Sequence, residues 1–125
     1  MDGERPAVVR LEVPAESGYL RVVRLTASAV GTLADFDVAR VEDLRIAADE
    51  LAGAAIAAAA GSATLVVGFR PDEDAVEISG AVAGAGPVVL EPIAEQVLRA
   101  IVERFRIEVV DGRIEFWCSM RRTPR

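Results

Sequence analysis

Histidine and lysine are absent from this 125-residue chain, and cysteine occurs once, at Cys118. Without imidazole there is no Ser–His or Cys–His nucleophile pair, no histidine acid or base, and no route to most transition-metal sites. Without lysine there is no Schiff-base chemistry and no phosphate-binding ammonium; every cationic side chain is an arginine. A single cysteine closes no intramolecular disulfide and builds no thiolate cage. Long apolar runs are missing too. The alanine-rich stretch is bounded by charge and glycine, short of the roughly 18–20 residues a membrane span needs, so no membrane partner is expected. The opening "MDGERPAVVR" lacks the basic-then-apolar order of a signal peptide, which implies a cytoplasmic address. Positive charge is in deficit, with a net charge of −6. Phosphate backbones are held by concentrated positive charge, so no nucleic-acid partner is expected; a basic or mixed-charge protein surface is the better counterpart.

What is present suits one globular domain over 1–125, with 52% apolar and 27% charged residues. "VVRLEV" (8–13) alternates Val9, Leu11 and Val13 with Arg10 and Glu12, a half-buried strand ended by Pro14. From Gly18 to Leu33 the period becomes helical: Leu20, Val23, Ala27 and Val30 form a stripe opposite Arg21, Arg24, Ser28 and Thr32. A second helix is N-capped by Asp37, turns Val41, Leu44, Ala48, Leu51 and Ala55 inward, and stops at Gly61. Strands "TLVVGF" (64–69) and "AVEIS" (75–79) flank a turn in "RPDEDA", and "GAVAGAGPVV" (80–89) reads as a flexible glycine-rich loop. A third helix begins at Pro92, with Ile93, Val97, Ile101 and Phe105 on its buried side. "RIEVVDGRIEFWCSM" is a hairpin about a type I′ turn at Asp111-Gly112, with Ile107, Val109, Ile114, Phe116, Cys118 and Met120 on one face. The tail, 121–125, is expected to fray. This order predicts an α/β two-layer sandwich, helices covering one face of a mixed, mostly antiparallel sheet.

The stretch "AADELAGAAIAAAAG", Ala47–Gly61, opens on an acidic pair and then offers no polar side chain. "VEDLRIAADEL", followed by an alanine-rich helix and a TLxV strand, resembles the anti-sigma-factor serine kinases. These belong to the Bergerat (histidine-kinase-like ATPase) superfamily, with gyrase, the histidine kinases and the heat-shock chaperone ATPases. The resemblance covers most of the chain and implies a Bergerat fold. It also implies a helix bearing Glu-x-x-x-Asn: the glutamate is base toward a serine hydroxyl, and the asparagine oxygen ligates the Mg²⁺ on the ATP phosphates. One helical turn separates the two, so both face one pocket.

Glu50 matches the base, but Ala54 stands at the asparagine position, and Ala58 where a histidine is common one turn on. A methyl group offers Mg²⁺ no oxygen. The resemblance also implies an Asp-x-Gly-x-Gly motif whose carboxylate reads the adenine amino group. That aspartate falls on Gly80 or Val82, depending on the alignment, and no acid or amide occurs from Ile78 to Leu90. Losing a hydrogen bond to a charged group forfeits about 1.5–3 kcal/mol, or roughly ten- to a hundredfold in affinity. The phosphate-binding glycines before the third helix are missing from "LEPIAEQ". Three nucleotide-binding elements are degraded together.

Glu50 is therefore either a vestigial catalytic carboxylate or a solvated helical acid. Gly84-Ala85-Gly86 suits a loop better than a phosphate cradle. Cys118 alternates with Phe116 and Met120 and belongs to the core, whereas Trp117 falls on the outer face of the sheet, as packing under the tail or as a partner contact. Arg21 and Arg24 lie one turn apart on the first helix; Arg21 matches the position at which the resembling kinases contact their sigma factor. The resemblance implies an anti-sigma-factor-like, pseudokinase-like regulator that binds a sigma factor or an anti-sigma antagonist, as a homodimer and without a cofactor. Partner contacts fall to Arg21, Arg24 and Trp117. The rival reading is an active ATP-dependent serine kinase with Glu50 as base, and only that reading calls for ATP and Mg²⁺.

Overall fold

Residues 7–124 are described by the computed structural model; residues 1–6, part of the stretch without a signal-peptide pattern, and Arg125 of the tail lie outside it. Five strands carry the period-two alternation: β1 (Val9–Pro14), β2 (Thr64–Pro71), β3 (Ala75–Ala83), β4 (Arg104–Val110) and β5 (Arg113–Arg121). They form one open sheet in the order β1-β2-β3-β5-β4. Every pairing is antiparallel, so the sheet is not the mixed one expected. The reason is topological. Two helices, α1 (Leu20–Leu33) and α2 (Val38–Ala57), return the chain from β1 to β2, while β2–β3 and β4–β5 are hairpins. The third helix, α3 (Pro92–Ile101), brings β4 back in the direction of β3, but β5 pairs between them.

The core lies between sheet and helices. Leu65, Val67 and Phe69 of β2, Val76, Ile78 and Val82 of β3, and Ile114, Phe116, Cys118 and Met120 of β5 point inward and are buried. They meet Val23, Ala27 and Val30 of α1, Leu44, Ala47, Ala48, Leu51, Ala52 and Ala55 of α2, and Leu98 of α3. This is the two-layer α/β arrangement the element order predicts.

Local chemistry explains the element ends. Asp37 caps α2, its Oδ1 accepting from the Arg40 N–H at 2.8 Å. Asp111 and Gly112 have φ of 52° and 76°, the pair of positive angles a type I′ turn requires. In the β2–β3 turn, Asp72 Oδ1 accepts from the Asp74 and Ala75 N–H groups at 2.8 and 2.9 Å.

Three expectations about elements need correction. α2 ends at Ala57, short of the stop expected at Gly61. The first four residues of "GAVAGAGPVV" are not loop: β3 runs through Ala83, paired with β5 from Gly80↔Phe116 to Ala83↔Arg113. Small side chains do not prevent pairing: β2 and β5 both flank Gly80 and Ala81, and β5 alone carries Val82 and Ala83. The inward face of α3 is also displaced by one residue. Ala94 and Leu98 are buried, while Ile93 is 75% exposed and Phe105 belongs to β4. Both stripes have helical spacing; α3 ends at Ile101, so Phe105 cannot anchor the predicted one. At the other terminus, β5 includes Arg121, and the Arg122 N–H donates to Asp74 O at 2.7 Å.

Arg40 went unread in the sequence. It is 3% exposed in the first turns of α2. Its Nε donates to Arg121 O and its Nη1 to Ile101 O, both at 2.7 Å. Carboxylate oxygens of Asp43 and Glu103 lie 3.4 and 3.3 Å from the guanidinium. One side chain thus ties α2 to the ends of α3 and β5.

Candidate functional site

The kinase-like elements meet where the C-terminal half of α2 faces the end of β3. Glu50 is half-buried on α2 and makes no hydrogen bond or ion pair with a described residue. Its neighbour Asp49 is engaged instead, accepting from Arg24 Nη1 at 2.8 Å with both side chains about one-third exposed. Ala54 follows Glu50 by one turn, and Ala57 and Ala58 extend the same flank of the helix. No amide oxygen is within the helix's gift here: the whole chain contains no asparagine. Among the described residues no group of three or more His, Cys, Asp or Glu side chains is arranged to hold a metal ion.

Both candidate positions for the adenine-reading acid lie on the inward face of β3. Gly80 pairs with Phe116, and a Cβ added to Gly80 would come within 2.1 Å of the Phe116 ring. The aromatic ring fills the space a carboxylate would need. Val82, two residues on, is itself a buried core residue. A charge at that position would lie among Leu65, Ile114 and their neighbours without a partner. Beyond β3 the chain closes onto the end of α2. The Ala60 N–H donates to Ala83 O at 2.9 Å, and a Cβ at Gly84 would come within 2.7 Å of Ala58 O. At this point helix and loop are in backbone contact.

The other surfaces named in the sequence are separate from this one. Arg21 is exposed on α1 and pairs with no carboxylate among the described residues. Trp117 lies on the outer face of the sheet, away from the helices, as its alternation with Phe116 predicts. Its Nε1 donates to Glu77 Oε1 at 3.1 Å, and Glu77 Oε2 also holds Arg70 Nη2 at 2.7 Å. The guanidinium carbons of Arg104 and Arg106 stand 5.7 and 5.1 Å from the indole ring centroid. Small residues at Gly68, Ser79 and Ala81 leave a trough of about 880 Å³ across this face, rimmed by Arg10, Arg113, Glu115 and Trp117. A second hollow of about 560 Å³ runs between α3 and β4, beside Arg99 and Phe105. Neither is lined by Glu50 or Ala54. Cys118 is fully buried, and burial pushes its thiol up to about 12.

No protein-family model matches the chain. Over 75 residues it is 43% identical to the anti-sigma-F factor RsbW in two strains of Mycobacterium tuberculosis, a match that spans 58% of this chain. The chain spans 45% of the length of these curated relatives.

Proposed function

We propose, from the premise that this chain is a relative of the anti-sigma-F factors, that it is an anti-sigma-factor-like transcription regulator acting by protein–protein binding. It occupies a sigma factor or an anti-sigma antagonist, and its nucleotide site has decayed. The 43% identity to an anti-sigma factor is the observation that carries this reading. The geometry supports its second half. Phe116 fills the space beside Gly80, Val82 belongs to the core, and Ala54 puts a methyl group where a kinase would place an oxygen toward Mg²⁺.

The same proposal includes a Bergerat-type fold, a cytoplasmic setting and a homodimer. Three helices over one face of an antiparallel sheet support the first. No helix among the described residues is long and apolar enough to cross a membrane, which is compatible with the second. The outer sheet face supports the third, because its mixed rim of Arg10, Arg113, Glu77 and Glu115 suits the self-complementary contact of a two-fold dimer. Arg21 is the leading partner contact, with its guanidinium unpaired among the described residues. Arg24 is held by Asp49 and supports the helix pair as well. Trp117 belongs to the second surface, on the sheet.

Purified protein titrated against the sigma factors and anti-sigma antagonists of its source tests the reading. Glu50→Gln should bind the partner as tightly as the wild type, since no proton transfer is involved. Phosphate passing from ATP to an antagonist's serine, and falling about 10²–10⁴-fold in Glu50→Gln, would instead establish the kinase.

A further inference from the structure

The outer face of the sheet is hollowed along one cross-strand row. Arg10 of β1, Gly68 of β2, Ser79 of β3, Trp117 of β5 and Arg106 of β4 stand side by side in that row. Gly68 and Ser79 are small, so the trough opens between Arg10 and the indole, three strand spacings or about 14 Å apart. Val66 and Ala81, a cross-strand pair two residues along, continue the floor with apolar surface. The lining holds four arginines, Arg10, Arg70, Arg106 and Arg113, against two glutamates, Glu77 and Glu115. Its sign is opposite to the net charge of −6 on the whole chain. Arg10, Arg106 and Arg113 each reach a glutamate two residues along their own strand, in exposed contacts that contribute little. Arg70 is different. Its side chain is only 19% exposed, and its Nη2 lies 2.7 Å from Glu77 Oε2, while Glu77 Oε1 accepts from the Trp117 indole N–H. Its Nη1 is buried and has no hydrogen-bond partner among the described residues. A buried cationic donor left unpaired is costly, and an anionic oxygen is the partner it lacks.

We propose that this trough binds a small organic carboxylate with a planar apolar body, its carboxylate on Arg70 Nη1 and its ring on Val66 and Ala81 against Trp117. Charge selects the head group, because the one buried donor without a partner is cationic and the lining carries an excess of arginine. Part of the Arg70 side chain still meets the trough, so a small turn of the guanidinium brings Nη1 to an entering carboxylate while Glu77 keeps hold of Nη2. The apolar floor and the indole select the body, since aromatic rings gain most in offset or edge contact with one another. Trp117 is steadied for that contact by Glu77 at its N–H and by the guanidinium groups of Arg104 and Arg106 beside its ring. A few placed polar groups in an otherwise apolar concavity are the usual composition of a small-molecule site. The inference stands apart from the partner-binding reading, for it uses neither Arg21 nor Glu50.

The test uses the full chain with phenylacetate as probe, and acetate and benzyl alcohol as its two halves. Trp117 is the chain's only tryptophan, so its fluorescence reports on the site itself. Phenylacetate should change that fluorescence saturably and bind roughly tenfold or more tightly than either half. Arg70→Lys keeps a cation beside Glu77 but offers no second planar nitrogen, and should weaken phenylacetate roughly tenfold or more. Ser79→Leu fills the centre of the floor from an exposed position; it should melt like the wild type and abolish binding. Sedimentation in the same buffers separates ligand binding from self-association. No saturable response to phenylacetate, or an equal response to acetate or benzyl alcohol, would overturn the proposal. Undiminished binding by either variant in its folded form would do the same, as would a response that follows protein concentration rather than phenylacetate. None of these outcomes bears on the partner-binding reading.

Discussion

Gly80 and Phe116 are where the proposed loss of the nucleotide site meets packing at the level of single residues. On the proposed reading, a kinase would need at least an oxygen ligand near residue 54 and an acid on β3, and the second change meets packing. A Cβ at Gly80 would come within 2.1 Å of the Phe116 ring. Gly80→Asp should therefore lower stability by about 3 kcal/mol or more, combining overpacking with an unpaired buried carboxylate; chemical denaturation would measure it. Ala54→Asn alone should leave Mg²⁺-ATP binding undetected in calorimetry, because no adenine-reading acid accompanies it. Cys118 gives an independent check on the core. Its thiol is raised from 9.0 to about 12 chiefly by burial. A folded value above the unfolded one means the stabilising contribution is complete below pH 9 and is lost as the pH rises toward 12. Wild type should thus lose stability across that window faster than Cys118→Ala does, and the native thiol should resist alkylation.

At the scale of elements, the sequence was most legible where one local rule acted alone. The Asp37 cap, the Asp111-Gly112 turn and the strict alternation of β5 each rest on neighbouring residues, and each stands as expected. Elements whose placement depends on distant partners were less legible. The face of α3 was ambiguous between two helical stripes, and its junction with β4 chose the one through Ala94 and Leu98. Gly80–Ala83 looked like loop because glycine and alanine lack strand preference; pairing to β2 and β5 overrides that preference. Arg40 was unreadable for a similar reason, since both carbonyls it satisfies come from far along the chain. Its removal should be costly. Arg40→Met keeps much of the volume but leaves Arg121 O and Ile101 O without this donor, and should cost about 2–4 kcal/mol. A shift of the thermal midpoint below that of surface controls such as Arg99→Met would measure the effect.

For the whole molecule, the candidate surfaces fall in two separate layers. The helix layer carries Glu50 and Arg21, while the sheet's outer face carries Trp117 with its arginines. Of the candidate site, the sequence showed the missing side chains but not what replaced them. Ala54 and the acid-free run from Ile78 to Leu90 are visible in one dimension; the ring of Phe116 against Gly80 requires the β3–β5 register. Together these features motivate the proposal that the protein's output is occupancy of a partner rather than turnover of ATP. The most direct test is calorimetric titration of the sigma factors and antagonists of its source into the wild-type protein, first without nucleotide and then with Mg²⁺-ATP present. The account predicts the same affinity and enthalpy in both titrations. Binding that appears only with Mg²⁺-ATP, or strengthens tenfold with it, would contradict the account.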